Sequence, residues 1–256
     1  AMLAAEGQEV ILDPLVSMRR NLVESNDTQV LSYHTNDVDP SYLRVTALDS
    51  FDGTTWRQRA GLETGRDPGW PLPGQVVPEQ DGVPVEYDIS VTNLGNAYLP
   101  LPYPIASVQD ISGLGDNWRI DNTTGVAFSK EVAATGTHYA VTAIDPSVTI
   151  GYLRGAPVPE GRLWPQLTLP GGLPSSIPEL AEQVTADADT PYDKAVALQD
   201  FFTTDGDFTY STSVRSGSEE NYIAEFLRER VGYCQQFAAT YALMAYSWGL
   251  LGFSLV

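Results

Sequence analysis

The chain has 256 residues, 43% of them apolar, a length that suits two modest domains or one large domain with a substantial core. Its 14 Lys and Arg residues against 33 Asp and Glu residues give a net charge of -19. Such a surface repels phosphate backbones, so no nucleic-acid binding is expected. One cysteine cannot form an internal disulfide, and with two histidines it makes a Cys/His zinc site unexpected. No metal and no cofactor is therefore predicted.

The first residues lack the features of a signal peptide, because neither a basic region nor an apolar region follows Met2. No apolar run in the sequence is long enough to span a bilayer. An alanine before the first methionine resembles a cloning scar. These features predict an excised soluble segment of a longer protein.

Residues 1–155 are predicted to form a β-rich domain. Between residues 85 and 91, apolar and polar side chains alternate with the period of two that is typical of a half-buried strand. Shorter alternating runs lie at residues 43–47, 126–128 and 139–143, and turn-forming Gly and Asp residues separate them. The predicted fold of this domain is an antiparallel β-sandwich or an open barrel.

The segment from Tyr42 to Trp56 predicts a strand, a turn at Asp52-Gly53 and a second strand, with Trp56 as a core residue. Both histidines also belong to this β-rich part. His34 is predicted to lie in a loop, and His138 is predicted to begin a strand. Each is interpreted as a surface or structural histidine rather than as a displaced catalytic residue.

A Pro- and Gly-rich connector is predicted at residues 156–174, because repeated prolines and the pair Gly171-Gly172 cannot support regular structure. In residues 175–256 the apolar side chains recur at helical spacing. The predicted fold class of the whole chain is therefore α+β, with the β-rich domain first and a helical part after the connector.

Four helices are predicted in the helical part. Ser176 is predicted to cap the first, and Thr190 is predicted to cap the second, which ends near Thr203. A short extended piece is expected around residues 208–210, before the third helix. The fourth helix begins at about Cys234. Its predicted buried face consists of four large side chains spaced four, three and four residues apart: Phe237, Tyr241, Met244 and Trp248.

Cys234 lies in a pattern of helix, glycine turn, cysteine and helix. Gly232 permits a sharp reversal between the two helices. Cys234 then falls at a helix N-terminus, where unpaired backbone N–H groups and the positive end of the helix dipole favour a thiolate. The same N–H groups could hold an oxyanion. On these residues alone, a buried and inert cysteine at the start of a core helix is the alternative interpretation.

Three segments near Cys234 occur in an order known from one family. They are the extended piece Phe208-Thr209-Tyr210-Ser211, the pair Phe226-Leu227, and the run from Gly232-Tyr233-Cys234 to Phe237-Ala238. Together they resemble the nucleophile region of bacterial transglutaminase-like proteins, which are papain-like thiol enzymes. The resemblance implies that Cys234 is the catalytic nucleophile. Tyr210 and Gln235 are predicted to line a substrate cleft, although Tyr210 also fits a strand core.

The N-terminal part resembles one subgroup of that family. The segments that carry this resemblance are Asp13-Pro14, Met18 to Leu22, Tyr42 to Val45 and Leu48 to Trp56. They look like the extracytoplasmic β region of membrane-anchored bacterial proteins, in which helical membrane segments precede a transglutaminase-like core. The resemblance implies an extracytoplasmic location, with membrane attachment through segments outside this chain.

The mechanism of the family implies a Cys-His-Asp triad that attacks a peptide amide through a thioester intermediate. No His or Asp follows Cys234 in this sequence, and residues 246–256 depart from the family's usual run into its first strand. We therefore interpret residues 175–256 as the helical half of a truncated transglutaminase-like core. The chain on its own is expected to be inactive.

Two functions are compatible with the sequence. In the first, the chain belongs to a thiol enzyme that acts on a protein or peptide of the cell envelope by acyl transfer or hydrolysis. In the second, it is a non-catalytic envelope binding or scaffold module with a degenerate transglutaminase-like fold. An incomplete core would leave apolar surface on the helix face at Tyr241 and Trp248, which predicts a route to homodimers.

Overall fold

The structure is a computed structural model that describes residues 28–40, 42–51, 56–58, 64–65, 82–109, 117–145, 149–156, 174–214 and 222–247. The chain divides into two compact units. The first is built from residues 1–47 and 60–147, and the second from residues 48–59 and 148–255. The predicted boundaries after residues 155 and 174 stay a prediction, because most of the connector lies outside the described residues.

The described elements confirm the predicted α+β class, with antiparallel sheets first and helices after them. In chain order the strands are β1 (Leu31–Thr35), β2 (Ser50–Phe51), β3 (Trp56–Arg57), β4 (Thr64–Gly65), β5 (Val83–Val91), β6 (Ile105–Gln109), β7 (Trp118–Asp121), β8 (Ala127–Ser129), β9 (His138–Asp145), β10 (Thr209–Tyr210) and β11 (Val231–Gly232). The α-helices are α1 (Ile150–Gly155), α2 (Ser176–Val184), α3 (Pro191–Asp200), α4 (Tyr222–Glu229) and α5 (Cys234–Tyr246).

The first unit contains a four-stranded sheet in the order β1-β5-β9-β6 and a three-stranded sheet in the order β4-β7-β8. The alternation predicted for β5 is confirmed, since Val85, Tyr87 and Ile89 are buried and the residues between them are exposed. The predicted run at residues 43–47 is different. Its described pairing is an isolated bridge between Arg44 and Leu101. The sequence could not predict this, because alternation indicates which side chains are buried and not how far a partner strand continues.

The prediction for His34 was wrong, because this residue lies in β1 directly opposite Asp88 of β5. His138 begins β9 as predicted, and its Nε2 atom lies 2.6 Å from Oδ1 of Asp88. Both side chains of this pair are about half exposed. This exposure places the pair on the solvated face of the sheet. An exposed ion pair of this kind contributes little to the free energy of unfolding.

The predicted hairpin is present as β2 and β3, which pair antiparallel and belong to the second compact unit. Trp56 is buried, as predicted, with 2% of its surface exposed. Its Nε1 atom donates a hydrogen bond to the carbonyl oxygen of Ala239 in α5 at 3.3 Å. Its ring meets Tyr246 of α5 edge to face at a centroid distance of 5.3 Å. Trp56 is therefore a core residue of the unit that carries Cys234.

The helix starts match the sequence in one case and differ in another. Ser175, and not Ser176, is the N-cap of α2, and its side chain makes no capping hydrogen bond. Thr190 caps α3 as predicted, and its Oγ1 atom accepts a hydrogen bond from the backbone N–H of Asp193 at 3.1 Å. Beyond α3, residues 201–205 continue as one turn of π-helix, so the helical segment ends later than the predicted Thr203.

Replacing Thr190 with alanine is expected to lower the free energy of unfolding by about 1 kcal/mol, the usual contribution of a threonine N-cap. The substitution removes the acceptor for the Asp193 N–H and the hydroxyl that donates to Asp193 Oδ2 at 2.7 Å. Thermal unfolding followed by circular dichroism measures the loss. Thr190→Ser keeps the hydroxyl and serves as the control; an alanine variant as stable as wild type would contradict the capping role.

Helix α5 is buried on more sides than its pattern predicted. Met244 is fully buried, but Phe237 and Tyr241 are only partly buried, and Trp248 lies outside the described residues. Small or β-branched residues share the buried surface: Ala239, Thr240, Ala242 and Ala245. The reason is that α5 packs against α2, α3 and α4 as well as against Trp56. Large side chains mark only one side of a helix that neighbours surround.

Candidate active site

The chain reaches Cys234 through a tight turn at the end of α4. Arg230 has a φ of 55°, and its backbone N–H donates to the carbonyl oxygen of Phe226 at 2.8 Å. This left-handed residue redirects the chain into β11. Tyr233 follows as the N-cap with an extended backbone, and Cys234 is the first residue of α5. The predicted position of Cys234 at a helix start is thus observed.

The turn changes the explanation of Gly232. The chain reversal between α4 and α5 was predicted to depend on Gly232, but the residue with positive φ is Arg230. What Gly232 supplies is space, because a Cβ atom there would lie 2.6 Å from Oε1 of Gln236 and 2.7 Å from Cδ2 of Phe226. Both distances are below those of real packed atoms. The glycine therefore allows β11 to approach the rings and the first turn of α5.

The first turn of α5 is fixed by Gln236, which the sequence analysis did not single out. Its side-chain Oε1 accepts the backbone N–H of Tyr233 at 3.0 Å, and its own N–H donates to the Tyr233 carbonyl at 2.9 Å. Glutamine at the third helical position commonly accepts the N–H of the N-cap residue through its side chain, so the signal was present in the sequence. The arrangement fixes the angle at which Cys234 leaves the strand.

The thiol of Cys234 is half-buried at the positive end of α5. The first backbone N–H groups of a helix have no acceptor within the helix, and the helix dipole adds partial positive charge at the same place. Both effects favour an anion on the first residue. A cysteine in this position can act as a thiolate nucleophile, and the neighbouring N–H groups can hold negative charge on a bound carbonyl oxygen.

Tyr210 is brought to Cys234 by strand pairing. Strand β10 runs parallel to β11, with Tyr210 level with Gly232, and the Ser211 N–H donates to the Gly232 carbonyl at 2.7 Å. The Tyr210 ring stacks on Phe237, one turn into α5, with a centroid distance of 6.3 Å and an interplanar angle of 28°. Tyr210 therefore lies between the strand that precedes Cys234 and the helical turn that follows it.

The Tyr210 side chain lies near Cys234, and this neighbourhood changes the pKa of the phenol. Partial desolvation raises the pKa of Tyr210, and the negative charge of the Cys234 thiolate and a hydrogen bond to that side chain raise it further. A hydrogen bond with the Cys234 backbone acts in the opposite direction. The Tyr210 side chain is nevertheless 55% exposed, so this face of the site is open to solvent.

Gln235 follows Cys234 in α5, and its Oε1 atom accepts a hydrogen bond from the Tyr233 hydroxyl at 3.1 Å. The structure thus brings Tyr210 and Cys234 into contact and orients Gln235 through Tyr233. The cleft-lining roles of Tyr210 and Gln235 stay predictions.

An aromatic cluster supports the site from within the second unit. It consists of Phe202, Phe208, Phe226 and Phe237, whose rings lie 4.9 to 6.2 Å apart in every pair. Arg230 closes the loop beside it by donating from Nη1 to the Gly206 carbonyl at 2.7 Å. Because Tyr210 stacks on Phe237, this cluster positions the ring next to Cys234.

The described ranges contain no group of three or more His, Cys, Asp or Glu side chains that could hold a metal ion. His34 and His138 are on strands of the first unit. The chemistry that the described site itself offers is therefore that of a thiol at a helix start with a phenol beside it.

Two family matches cover most of the sequence. Residues 2–149 match the TgpA N-terminal domain. The chain belongs to the TgpA N-terminal domain family. Residues 178–250, which include Cys234, match the transglutaminase-like superfamily. The combination of a TgpA N-terminal domain with a transglutaminase-like core confirms the family that the sequence resembled.

Solved structures support the TgpA fold. The chain is similar to the periplasmic domain of TgpA from Pseudomonas aeruginosa with a TM-score of 0.64 and 17% identity, over 96% of this chain and 77% of that one. A second structure of that TgpA domain, bound to ethylmercury, gives a TM-score of 0.59 at 17% identity, over 85% and 71% of the two chains. At this identity the similarity establishes the fold.

A curated relative shares only part of its length with this TgpA-family chain. The uncharacterized protein YebA of Bacillus subtilis (strain 168) is 32% identical over 87 residues, which is 33% of this chain and 12% of that protein. The match thus spans about an eighth of the relative.

Proposed function

We propose that this chain is the extracytoplasmic part of a transglutaminase-like thiol enzyme that acts on peptide amide bonds, with Cys234 as the nucleophile. The observation that carries the proposal is the position of Cys234 at the first residue of α5, half-buried and next to the Tyr210 hydroxyl. A thiol that served only as core packing would not need a helix start and a polar neighbour.

The proposed reaction begins with attack of the Cys234 thiolate on the carbonyl carbon of a peptide amide. A sulfur–carbon bond forms, and the carbonyl oxygen takes the negative charge near the first N–H groups of α5. When the carbon–nitrogen bond breaks, the amine or ammonia leaves with a proton and a thioester remains. Water or a second amine then attacks the thioester and releases the thiolate.

In the family's mechanism a histidine takes and returns the proton. No His or Asp follows Cys234, and both histidines are on strands of the first unit. We therefore expect this polypeptide on its own to be inactive. Catalysis should be measured in the natural full-length protein.

The activity is tested in membranes that contain the natural full-length protein. Incorporation of a fluorescent primary amine into dimethylcasein reports acyl transfer, and ammonia release reports hydrolysis. Wild type should give one or both signals, and Cys234→Ser should abolish them. Activity that persists in Cys234→Ser would overturn the assignment of the nucleophile; turnover by the 256-residue chain alone would overturn its proposed inactivity.

The alternative proposal is a non-catalytic scaffold function. In that case the β-rich unit would bind an envelope partner and the transglutaminase-like part would be a remnant. A His and an Asp on successive strands of the natural protein beyond these residues would favour the enzyme. Full-length protein that lacks both would favour the scaffold.

The proposed location is the extracytoplasmic face of the membrane, supported by the fold of the Pseudomonas TgpA periplasmic domain. Among the described helices none is long and apolar enough to cross a bilayer. A protein or peptide of the cell envelope is the proposed substrate class. Homodimer formation through the C-terminal helix face stays a prediction, which sedimentation over a wide concentration range can test.

A further inference from the structure

Tyr210 is fixed on two sides of Cys234 by contacts that do not depend on the cysteine. The backbone of β10 pairs with β11 in parallel register, which sets the height of the Tyr210 side chain along the strand. The ring then stacks on Phe237, whose own ring lies 4.9 Å from that of Phe226. The strand pairing and the ring contact together orient the Tyr210 side chain beside the start of α5.

We infer that the Tyr210 hydroxyl is a positioning group for the nucleophile, donating a hydrogen bond to the Cys234 sulfur and holding it beside the first N–H groups of α5. This role goes beyond the cleft-lining role predicted from the sequence. It deepens the proposed function and takes its biological meaning from it, but it can be tested on the thiol itself.

The protonation state of the phenol fits a donor. The pKa of Tyr210 is raised by partial desolvation, by the charge of the Cys234 thiolate and by the hydrogen bond to that side chain. A raised pKa keeps the Tyr210 hydroxyl protonated at neutral pH, so it has a proton to donate. A neutral hydroxyl that donates to the sulfur stabilises the charged form, because a hydrogen bond to a charged group is stronger than one to its neutral form.

Several titratable or charged side chains next to β11 and on α4 and α5 make contacts elsewhere. The Tyr233 hydroxyl donates to Gln235, and the Tyr241 hydroxyl donates to the Ala195 carbonyl. Arg230 holds the Gly206 carbonyl. The charged side chains of α4 pair among themselves: Arg228 with Glu225 and with Glu229.

The proposed hydrogen bond increases the fraction of thiolate at neutral pH, and it weakens as the reaction proceeds. The sulfur carries negative charge before attack and none in the thioester. A donor aimed at sulfur therefore stabilises the reactive thiolate more than the acyl intermediate. Since Tyr210 is about half exposed, its hydroxyl can turn to solvent when the sulfur no longer needs it.

The experiment measures alkylation of Cys234 by iodoacetamide as a function of pH, which is unambiguous because the chain has a single cysteine. Tyr210→Phe keeps the ring that stacks on Phe237 and removes only the hydroxyl. At pH 7 its rate constant should fall about three- to tenfold, the range for one hydrogen bond to a charged group at a half-exposed site. The pH at which its alkylation rate is half-maximal should also be higher than in wild type. At high pH, where the cysteine is fully ionised, its rate should equal or exceed that of wild type.

Tyr241→Phe is the matched control. Tyr241 is in the same helix as Cys234, but its hydroxyl donates to the carbonyl oxygen of Ala195. Its profile should match wild type. An unchanged profile in Tyr210→Phe would refute the donor role, and a faster reaction at pH 7 would equally refute it by showing that the hydroxyl covers the sulfur. Neither outcome affects the amine-incorporation assay, so the two proposals can fail separately.

A second measurement does not depend on the stability of the Tyr210 variant. With ¹³C-labelled tyrosine, the titration of Tyr210 is followed by NMR in wild type and in Cys234→Ala. Loss of the thiolate removes two of the causes that raise the pKa of Tyr210, so its titration midpoint should move to lower pH. A midpoint that does not move would show that the hydroxyl and the sulfur do not interact, and would overturn the inference.

Discussion

Replacing Trp56 with alanine should lower the free energy of unfolding of the second compact unit by about 3–5 kcal/mol, the usual cost of removing a large buried aromatic side chain. Only 2% of the Trp56 surface is exposed, and the ring packs edge to face on Tyr246. The substitution also leaves the Ala239 carbonyl without the Nε1 donor at 3.3 Å. Denaturation followed by circular dichroism at 222 nm reports the helices that carry the site.

Two control variants separate the contributions. Trp56→Phe keeps much of the apolar contact but lacks the N–H group, so we expect a smaller loss, on the order of 1–2 kcal/mol. Trp118→Ala removes a tryptophan that is buried in the first unit. It should destabilise the sheets rather than the helices. An unchanged helical transition in Trp56→Ala would contradict the assignment of β2 and β3 to the unit of α5.

The same substitution should alter the titration of Tyr246. Burial, with a contribution from the charge of Asp49, raises the pKa of Tyr246 to about 12. The unfolded chain would lose this proton near the ordinary value of about 10. The contribution of protonated Tyr246 to the free energy of unfolding is therefore fully present below about pH 10 and is lost as the pH rises toward 12. With Trp56 removed, Tyr246 gains solvent, and its pKa should fall toward the ordinary value in an ultraviolet titration.

Gly232→Ala should cost about 1–3 kcal/mol, the range for inserting a methyl group into a packed core. The new Cβ atom meets Oε1 of Gln236, which could move only by giving up the Tyr233 N–H. It also meets the Phe226 ring, which is 1% exposed and surrounded by other rings. Because Cys234 is two residues away, its alkylation rate should change together with the loss of stability.

Gly151→Ala is the control for this prediction, since its Cβ would be 3.9 Å from the nearest atom and lies in the exposed helix α1. Replacing a helical glycine with alanine there should be neutral or slightly stabilising. The double variant Gly232→Ala with Phe226→Leu makes room for the methyl group, so its cost should be less than the sum of the two single costs. Strict additivity would argue against the contact with Phe226.

The sequence predicts the parts of this fold that depend on near neighbours. The burial pattern of β5 follows from a period of two, and the start of α3 follows from Thr190 and the residues directly after it. The position of Cys234 is also local, because a helix start is marked within a few residues. The prediction that Cys234 is a nucleophile came from the family resemblance. The local sequence alone fits a buried, inert cysteine as well.

The sequence does not predict features that depend on distant partners. Trp56 could be identified as buried, but nothing near it in the chain indicates that Ala239 accepts its hydrogen bond. The left-handed backbone of Arg230 was missed because such a conformation normally favours glycine; here the Gly206 carbonyl holds the side chain. The contact of Tyr210 with Cys234 was equally hidden, since it results from the pairing of β10 with β11.

The two-segment origin of the second unit has a consequence for the order in which the protein is made. Trp56 emerges from the ribosome 183 residues before Ala239, an interval of roughly 10 to 40 s at ordinary rates of translation. The strands β4 to β9 of the first unit are all synthesised within that interval, and β1 is made before it. A chain that emerges from its N-terminal end can therefore complete the sheets before α5 is available to pack on the hairpin of β2 and β3. The unit that carries Cys234 is assembled last, from a segment made early and a helix made late.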